Sequence, residues 1–309
     1  MYNREQILFI RPSHDHDFLF ENIRKSGYNV IEPYKSNMIF FRFIRLIWFK
    51  YNFPFQKIWF KKDILKYQAK LIIIFDSLIT KKYLLWLRNS FPDVRIIFMY
   101  GNLVGRASHI KANNIPKECF CEKWSYDKGD CEKYSMNYCG SSYFEHLRVN
   151  KIMPLYDVFY VGRDKGRAEY LFNLEAQLQK QRLKTYFYIV ADRKYKRFFK
   201  YYYKPALKYG KICDLLSKSK AVLNIILDNQ TGVTIRDMEA LFNEIKLITN
   251  NKLIKEYDFY KPENIFILDE NNIDEIKDFL DKPFIPVNSD IVNKYTFSNW
   301  LKRIIEAKE

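Results

Sequence analysis

The sequence predicts an α/β protein made of two Rossmann-like domains. Two observations carry that expectation. Short apolar strands alternate with amphipathic helical stretches, the signature of parallel sheets, and this alternation runs twice along the chain. An irregular stretch with glycines and cysteines, residues 101–155, separates the two runs. A chain of 309 residues that is 48% hydrophobic is long and apolar enough for two cores. We therefore expect domains at 1–150 and 151–309. With no fixed-period repeat and no low-complexity linker between them, they are expected to face each other across a cleft.

In the first half the strand candidates are Ile7–Ile10, Leu71–Phe75 and Ile96–Tyr100, with a weaker one at Asn29–Ile31. Thr80–Ser90 reads as a helix stopped by Pro92. The second half offers strands at Val158–Val161, Tyr186–Val190, Ala221–Ile226, Lys246–Thr249 and Ile265–Leu268. Helices are expected at Ala168–Gln181, Cys213–Ser217, Thr234–Glu244 and Ser298–Ala307.

Composition narrows the partners. The chain carries 52 Lys and Arg against 36 Asp and Glu, a formal charge of +16, which favours anionic ligands: nucleotide phosphates, nucleic acid or an acidic membrane surface. Basic residues crowd 35–70 and 180–210, whereas 256–281 is acidic. The apolar run near the N-terminus is too short for a secretory signal and no segment is long enough to span a bilayer, so a cytoplasmic location is expected. Cys119, Cys121, Cys131 and Cys139 have no trusted zinc spacing and read as free thiols.

Ligands of open parallel sheets bind beyond the carboxyl ends of the strands. Two stretches fall there. In YVGRDKGR, residues 160–167, a strand ends in Gly162 and the next helix follows Arg163, Lys165 and Arg167, cations suited to phosphate oxygens. In TGVTIRDMEALF, residues 231–242, Thr231, Gly232 and Val233 lead into a helix whose dipole and first N–H groups favour an anion. Ile235, Met238, Leu241 and Phe242 supply its apolar face. Arg236 and Glu239 are surplus to that face, and read either as a solvated pair at i and i+3 or as nucleotide ligands.

These residues carry a family resemblance. YDVFYVGRDKGR, followed by QTGVTIRDMEALFNEIKLITNN, YDFYKPENIFIL and YTFSNWLKRI, resembles bacterial glycosyltransferases of the GT-B fold, in particular those of capsule, O-antigen or lipopolysaccharide outer-core synthesis. The similarity covers most of 155–302, and more loosely FMYGNLV and WSYDKGDCEKYSMNY. It implies that the C-terminal domain holds a nucleotide-diphosphate sugar and the N-terminal domain a glycan or glycolipid acceptor. Many retaining enzymes of this fold have a Glu-x7-Glu motif whose second Glu binds the ribose. Glu239 matches that position, while Thr231 stands at the first.

Transfer leaves negative charge on the departing diphosphate. Arg163, Lys165, Arg167 and the amides of Thr231–Val233 offer to meet it, with no cofactor and no metal required. In RPSHDHDF, residues 11–18, His14, Asp15 and His16 are base candidates for the acceptor hydroxyl, with helix capping by Ser13 or Asp15 as the alternative. Asn102 reads as an acceptor contact or a turn residue. Residues 40–62 mix bulky aromatics with cations, which suits peripheral attachment to an anionic membrane, or else an aromatic core with lysines outside. The competing functions are a basic nucleic-acid-binding protein, for which no recognisable module is present, and a degenerate relative that binds nucleotide sugar without transfer.

Overall fold

The structure, a computed structural model, describes residues 2–12, 18–35, 38–105, 110–192, 203–269 and 272–307. The chain divides into two units, Met1–Gly140 with Lys302–Glu309, and Ser141–Leu301.

The first unit contains β1 (Ile7–Ile10), α1 (Phe18–Lys25), β2 (Asn29–Ile31), α2 (Ile39–Lys50), β3 (Leu71–Phe75), α3 (Lys81–Ser90), β4 (Arg95–Tyr100), β5 (Cys121–Ser125), α4 (Lys128–Tyr134) and β6 (Asn137–Tyr138). Its sheet runs β2-β1-β3-β4-β5-β6, parallel throughout. β1 and β3 are buried at every position, as strands covered on both faces must be. α3 starts where Thr80 Oγ1 accepts the Tyr83 N–H at 3.2 Å.

Residues 121–138 correct the expectation of an irregular stretch. β5 reads Cys-Glu-Lys-Trp-Ser, without apolar alternation, and is a strand because β4 and β6 pair with it. Arg95 of β4 grips Glu122 of β5 with two hydrogen bonds, at 2.5 and 2.9 Å. Asp127 caps α4 by accepting the Asp130 N–H at 3.0 Å.

The second unit contains β7 (Tyr156–Arg163), α5 (Ala168–Lys180), β8 (Thr185–Val190), α6 (Tyr209–Leu216), β9 (Ser219–Asn224), α7 (Ile235–Phe242), β10 (Lys246–Thr249), β11 (Ile265–Ile267), α8 (Ile276–Asp281), α9 (Ser289–Lys294) and the start of α10 (Phe297–Glu306), whose residues from Lys302 onward belong to the first unit. Its parallel sheet runs β11-β10-β9-β7-β8. The period of two along a strand separates two cores. Val158, Tyr160, Ala221 and Leu223 pack in one, against Leu171, Leu174 and Leu178 of α5. Phe159, Val161, Val222 and Leu247 pack in the other, against Met238, Leu241 and Phe242 of α7.

Both units are therefore Rossmann-like, and they share a strand order. Counting strands from the start of each unit, both sheets run second, first, third, fourth, fifth, and the first unit's sheet adds a sixth. The winding reverses between β1 and β3 in one and between β7 and β9 in the other. In an open α/β sheet, the carboxyl end of that reversal is where the chain leaves room for a ligand.

Candidate functional site

The second unit's reversal is built around β7. At Gly162 the backbone approaches the Tyr160 ring so closely that a Cβ would come within 2.7 Å of its hydroxyl and displace it. The strand then turns sharply, with Lys165 at φ 49° and Gly166 at φ 84°. Two contacts pin the turn to the end of β8. The Lys165 N–H donates to both Asp192 carboxylate oxygens at 3.0 Å, and Arg163 Nη1 donates to the carbonyls of Ala191 and Asp192 at 3.3 and 3.1 Å.

Arg167 points the other way, across the reversal. Its Nη1 donates to the Ile225 carbonyl beyond β9, its Nη2 to the Arg163 carbonyl at 3.0 Å and its Nε to the Asp164 carbonyl at 3.2 Å. Asp164 is buried and completes the turn. One carboxylate oxygen accepts the Ala168 N–H at 2.7 Å, capping α5, and the other accepts the Tyr203 hydroxyl. Arg163 and Lys165 are exposed and Arg167 half-buried, so cationic charge faces outward from a rigid base.

The start of α7 packs beside this turn. Thr234 and Asp237 form a capping box, and Asn224 at the end of β9 donates to both side chains, at 3.1 and 2.8 Å. The helix thus uses its own side chains on its first amides. Burial raises the Asp237 carboxyl above its ordinary range. Thr231 is half-buried, Gly232 and Val233 are buried, and the Val233 carbonyl accepts the Ser141 hydroxyl.

Arg236 and Glu239 form an ion pair, but not a solvated one. Glu239 is 0% exposed. Arg236 Nη1 donates to one of its oxygens and the Tyr209 hydroxyl to the other, the latter at 2.8 Å. Arg236 Nη2 also donates to the Val161 carbonyl of β7 at 3.2 Å. Tyr143 stands behind, its hydroxyl 3.1 Å from that of Tyr209. Burial pushes the Glu239 carboxyl upward while Arg236 opposes it, and burial with the Glu239 charge raises the Tyr209 phenol. Both Glu239 oxygens accept hydrogen bonds from within the protein.

The structure therefore gathers Gly162, Arg163, Lys165, Arg167, Arg236 and Glu239 around the end of β7. Asn102 lies in the first unit, exposed just after β4. His14, Asp15 and His16 fall outside the described residues. Sequence reasoning missed Asp164 within the turn, Tyr203, which bonds Asp164, Tyr209, which bonds Glu239, and Asn224, which bonds the capping box of α7.

It also missed Asp76, which follows β3 in the first unit, although an acid directly after a fully apolar strand was a readable signal. Asp76 is 1% exposed; one oxygen accepts the Gly101 N–H at 3.2 Å and the other is buried without a hydrogen bond. Burial pushes this carboxyl up to about 6, against the pull of Arg11, whose guanidinium sits 5.1 Å over the Phe75 ring. Among the described residues no cluster of three or more His, Cys, Asp or Glu side chains is placed to hold a metal ion, and no helix is long and apolar enough to cross a membrane.

No protein-family profile matches the chain, and no curated protein matches it. Similar solved structures include a candidate UDP-N-acetylglucosamine 2-epimerase from Listeria monocytogenes, at 10% identity and a TM-score of 0.47, covering 98% of this chain and 95% of that one. The spinosyn forosaminyltransferase SpnP is 12% identical with a TM-score of 0.41, over 98% and 95% of the two chains. The wall teichoic acid polymerase TagF is 12% identical with a TM-score of 0.40, over 98% and 89%. At these values the similarities do not assign a family or an activity.

Proposed function

We propose that the protein is a glycosyltransferase that moves a sugar from a nucleoside-diphosphate donor to a hydroxyl of a cell-surface glycan or glycolipid, of the lipopolysaccharide, O-antigen or capsule type. The observation that carries this reading is the outward-facing cationic turn Arg163–Arg167 at the carboxyl end of the β7/β9 reversal. The sequence resemblance supports it and supplies the acceptor class.

In this reading the diphosphate lies against Arg163 and Lys165, with Arg167 behind. As the acceptor oxygen bonds to the anomeric carbon, its hydroxyl proton passes to a general base, for which His14, Asp15 and His16 are the sequence candidates, while the bond to the diphosphate breaks and the leaving group takes the electron pair. Fixed cations stabilise that charge most when water does not need to reorganise, and carbonyl-anchored guanidinium groups meet that condition. They supply the stabilisation that a divalent ion provides elsewhere. Glu239 acts as a positioning residue, holding Arg236 against β7. Nucleotide sugars are cytoplasmic metabolites, so the reaction belongs on that side.

Titration calorimetry with a panel of nucleoside diphosphates, followed by mass spectrometry of products from the corresponding sugar donors, tests the proposal. One diphosphate is expected to bind, and Arg163→Gln with Lys165→Gln is expected to weaken it about tenfold or more, the loss of two charge-assisted contacts. Absence of binding across the panel, or unchanged affinity in the double variant, overturns it.

A further inference from the structure

The first unit presents an aromatic and cationic surface that its own core does not use. On α2, Phe40, Phe43 and Ile47 recur at helical spacing, continue into Tyr51, and are all exposed; Phe40 is 67% and Phe43 62% accessible. The opposite face holds the helix firmly. Arg45 is buried there, its Nη1 donating to the Lys35 carbonyl at 2.9 Å and its guanidinium lying 4.8 Å over the Tyr34 ring. Phe49 packs 5.1 Å from the same ring, and Trp48 Nε1 donates to the Pro54 carbonyl at 2.7 Å. The outward rings are thus displayed by an anchored helix.

Phe55 extends this surface in an unusual way. It adopts a left-handed backbone, φ 57°, and is 78% exposed. A β-carbon residue in that conformation costs roughly 1 kcal/mol or more. At that exposure the ring recovers little of it by packing. Ile58 beside it is also exposed.

Charge decides what fits this surface. Between residues 38 and 62 there is no Asp or Glu, and Arg42, Lys50, Lys57, Lys61 and Lys62 lie among the rings. Arg45, counted with these cations on sequence grounds, is removed from them by its burial. Beside α2 opens a recess of about 580 Å³. Leu46, Phe49 and Ile79 make one wall apolar, while Lys50, Lys81 and Lys82 line it with charge. An apolar wall under a cationic rim matches an amphiphile with an anionic head.

We propose that this face docks on an anionic bilayer, the exposed rings entering the interface and a phospholipid headgroup phosphate seating in the lysine-lined recess. Aromatic side chains partition into the interfacial layer, and each cation near an acidic surface adds attraction. The proposal rests on the first unit alone and is independent of the sugar-transfer reading.

Sedimentation with vesicles of phosphatidylcholine, with and without phosphatidylglycerol, tests it. The bound fraction is expected to rise with phosphatidylglycerol and to fall with salt. A Lys50→Gln, Lys81→Gln, Lys82→Gln variant should lose about a hundredfold in partitioning to the charged vesicles, roughly fivefold for each cation. A Phe40→Ser, Phe43→Ser, Phe55→Ser variant should lose binding to the same vesicles. In the unmodified protein, lipids brominated near the headgroup should quench Trp48, which sits 5.5 Å from Phe53. Binding indifferent to lipid charge, or no quenching, overturns the proposal. So does concentration-dependent self-association that the serine variant abolishes while vesicle binding is absent, since the face would then belong to a second copy.

Discussion

The two sheets share a winding order, yet their carboxyl edges have opposite chemistry. At the β7/β9 edge the guanidinium groups of Arg163, Arg167 and Arg236 are tied to backbone carbonyls, and the buried Glu239 has a partner for each oxygen. At the β1/β3 edge the buried Asp76 keeps one oxygen without a hydrogen bond. Topology therefore fixes where a ligand edge lies, while the side chains that close on it decide its charge and its cost. A satisfied network stabilises its surroundings only while complete, whereas a half-satisfied acid opposes folding whenever it ionises.

The largest expected effect comes from breaking the satisfied edge. Glu239→Ala leaves the half-buried Arg236 and Tyr209 hydroxyl without their buried carboxylate and should destabilise the protein by about 3–5 kcal/mol, read from urea unfolding midpoints. A loss under about 1 kcal/mol would mean that the network is not closed in solution.

The opposite sign is expected at the other edge. The Asp76 carboxyl holds its proton more tightly folded, at about 6, than at its ordinary value of 3.8. Folding stability from this group is present below the ordinary value and is lost as pH rises through 6. Asp76→Asn removes that dependence. The variant should gain on the order of 1–3 kcal/mol over wild type at pH 8 relative to pH 4, since each tenfold difference in proton affinity between the folded and unfolded chain corresponds to about 1.4 kcal/mol. Parallel stability curves for the two proteins across this range would contradict the assignment.

The smallest effect separates two glycines at the ends of β4 and β7. A Cβ at Gly101 would meet Phe75 and Asp76 only at ordinary contact distances of 3.9 and 4.0 Å, whereas one at Gly162 collides with Tyr160. Gly162→Ala should cost about 1–3 kcal/mol by overpacking, and Gly101→Ala less than about 0.5. Equal thermal shifts would show that Tyr160 moves freely.

Strands such as Ile7–Ile10 and Leu71–Phe75 were legible because a buried parallel strand must be apolar along its length. β5 was not, because its polar residues become a strand only through their neighbours' hydrogen bonds. The same holds at the site. Gly162, Arg163, Lys165 and Arg167 were readable from a strand ending in glycine before a basic turn, and Arg236 with Glu239 from charges added to an apolar helical face.

The sequence by itself thus determined the α/β class, most strand positions, the net positive charge and the turn where cations cluster, since these follow from local periodicity and composition. Only the tertiary structure decided which charges remain available. Arg45 and Glu239 look like surface groups in sequence. They are buried because Lys35 and Tyr34 receive one, while Tyr209, 30 residues away in sequence, joins the neighbouring Arg236 in receiving the other, a convergence that local patterning does not register. A charge leaves water only where partners converge to replace its solvation, and that convergence is a property of the fold.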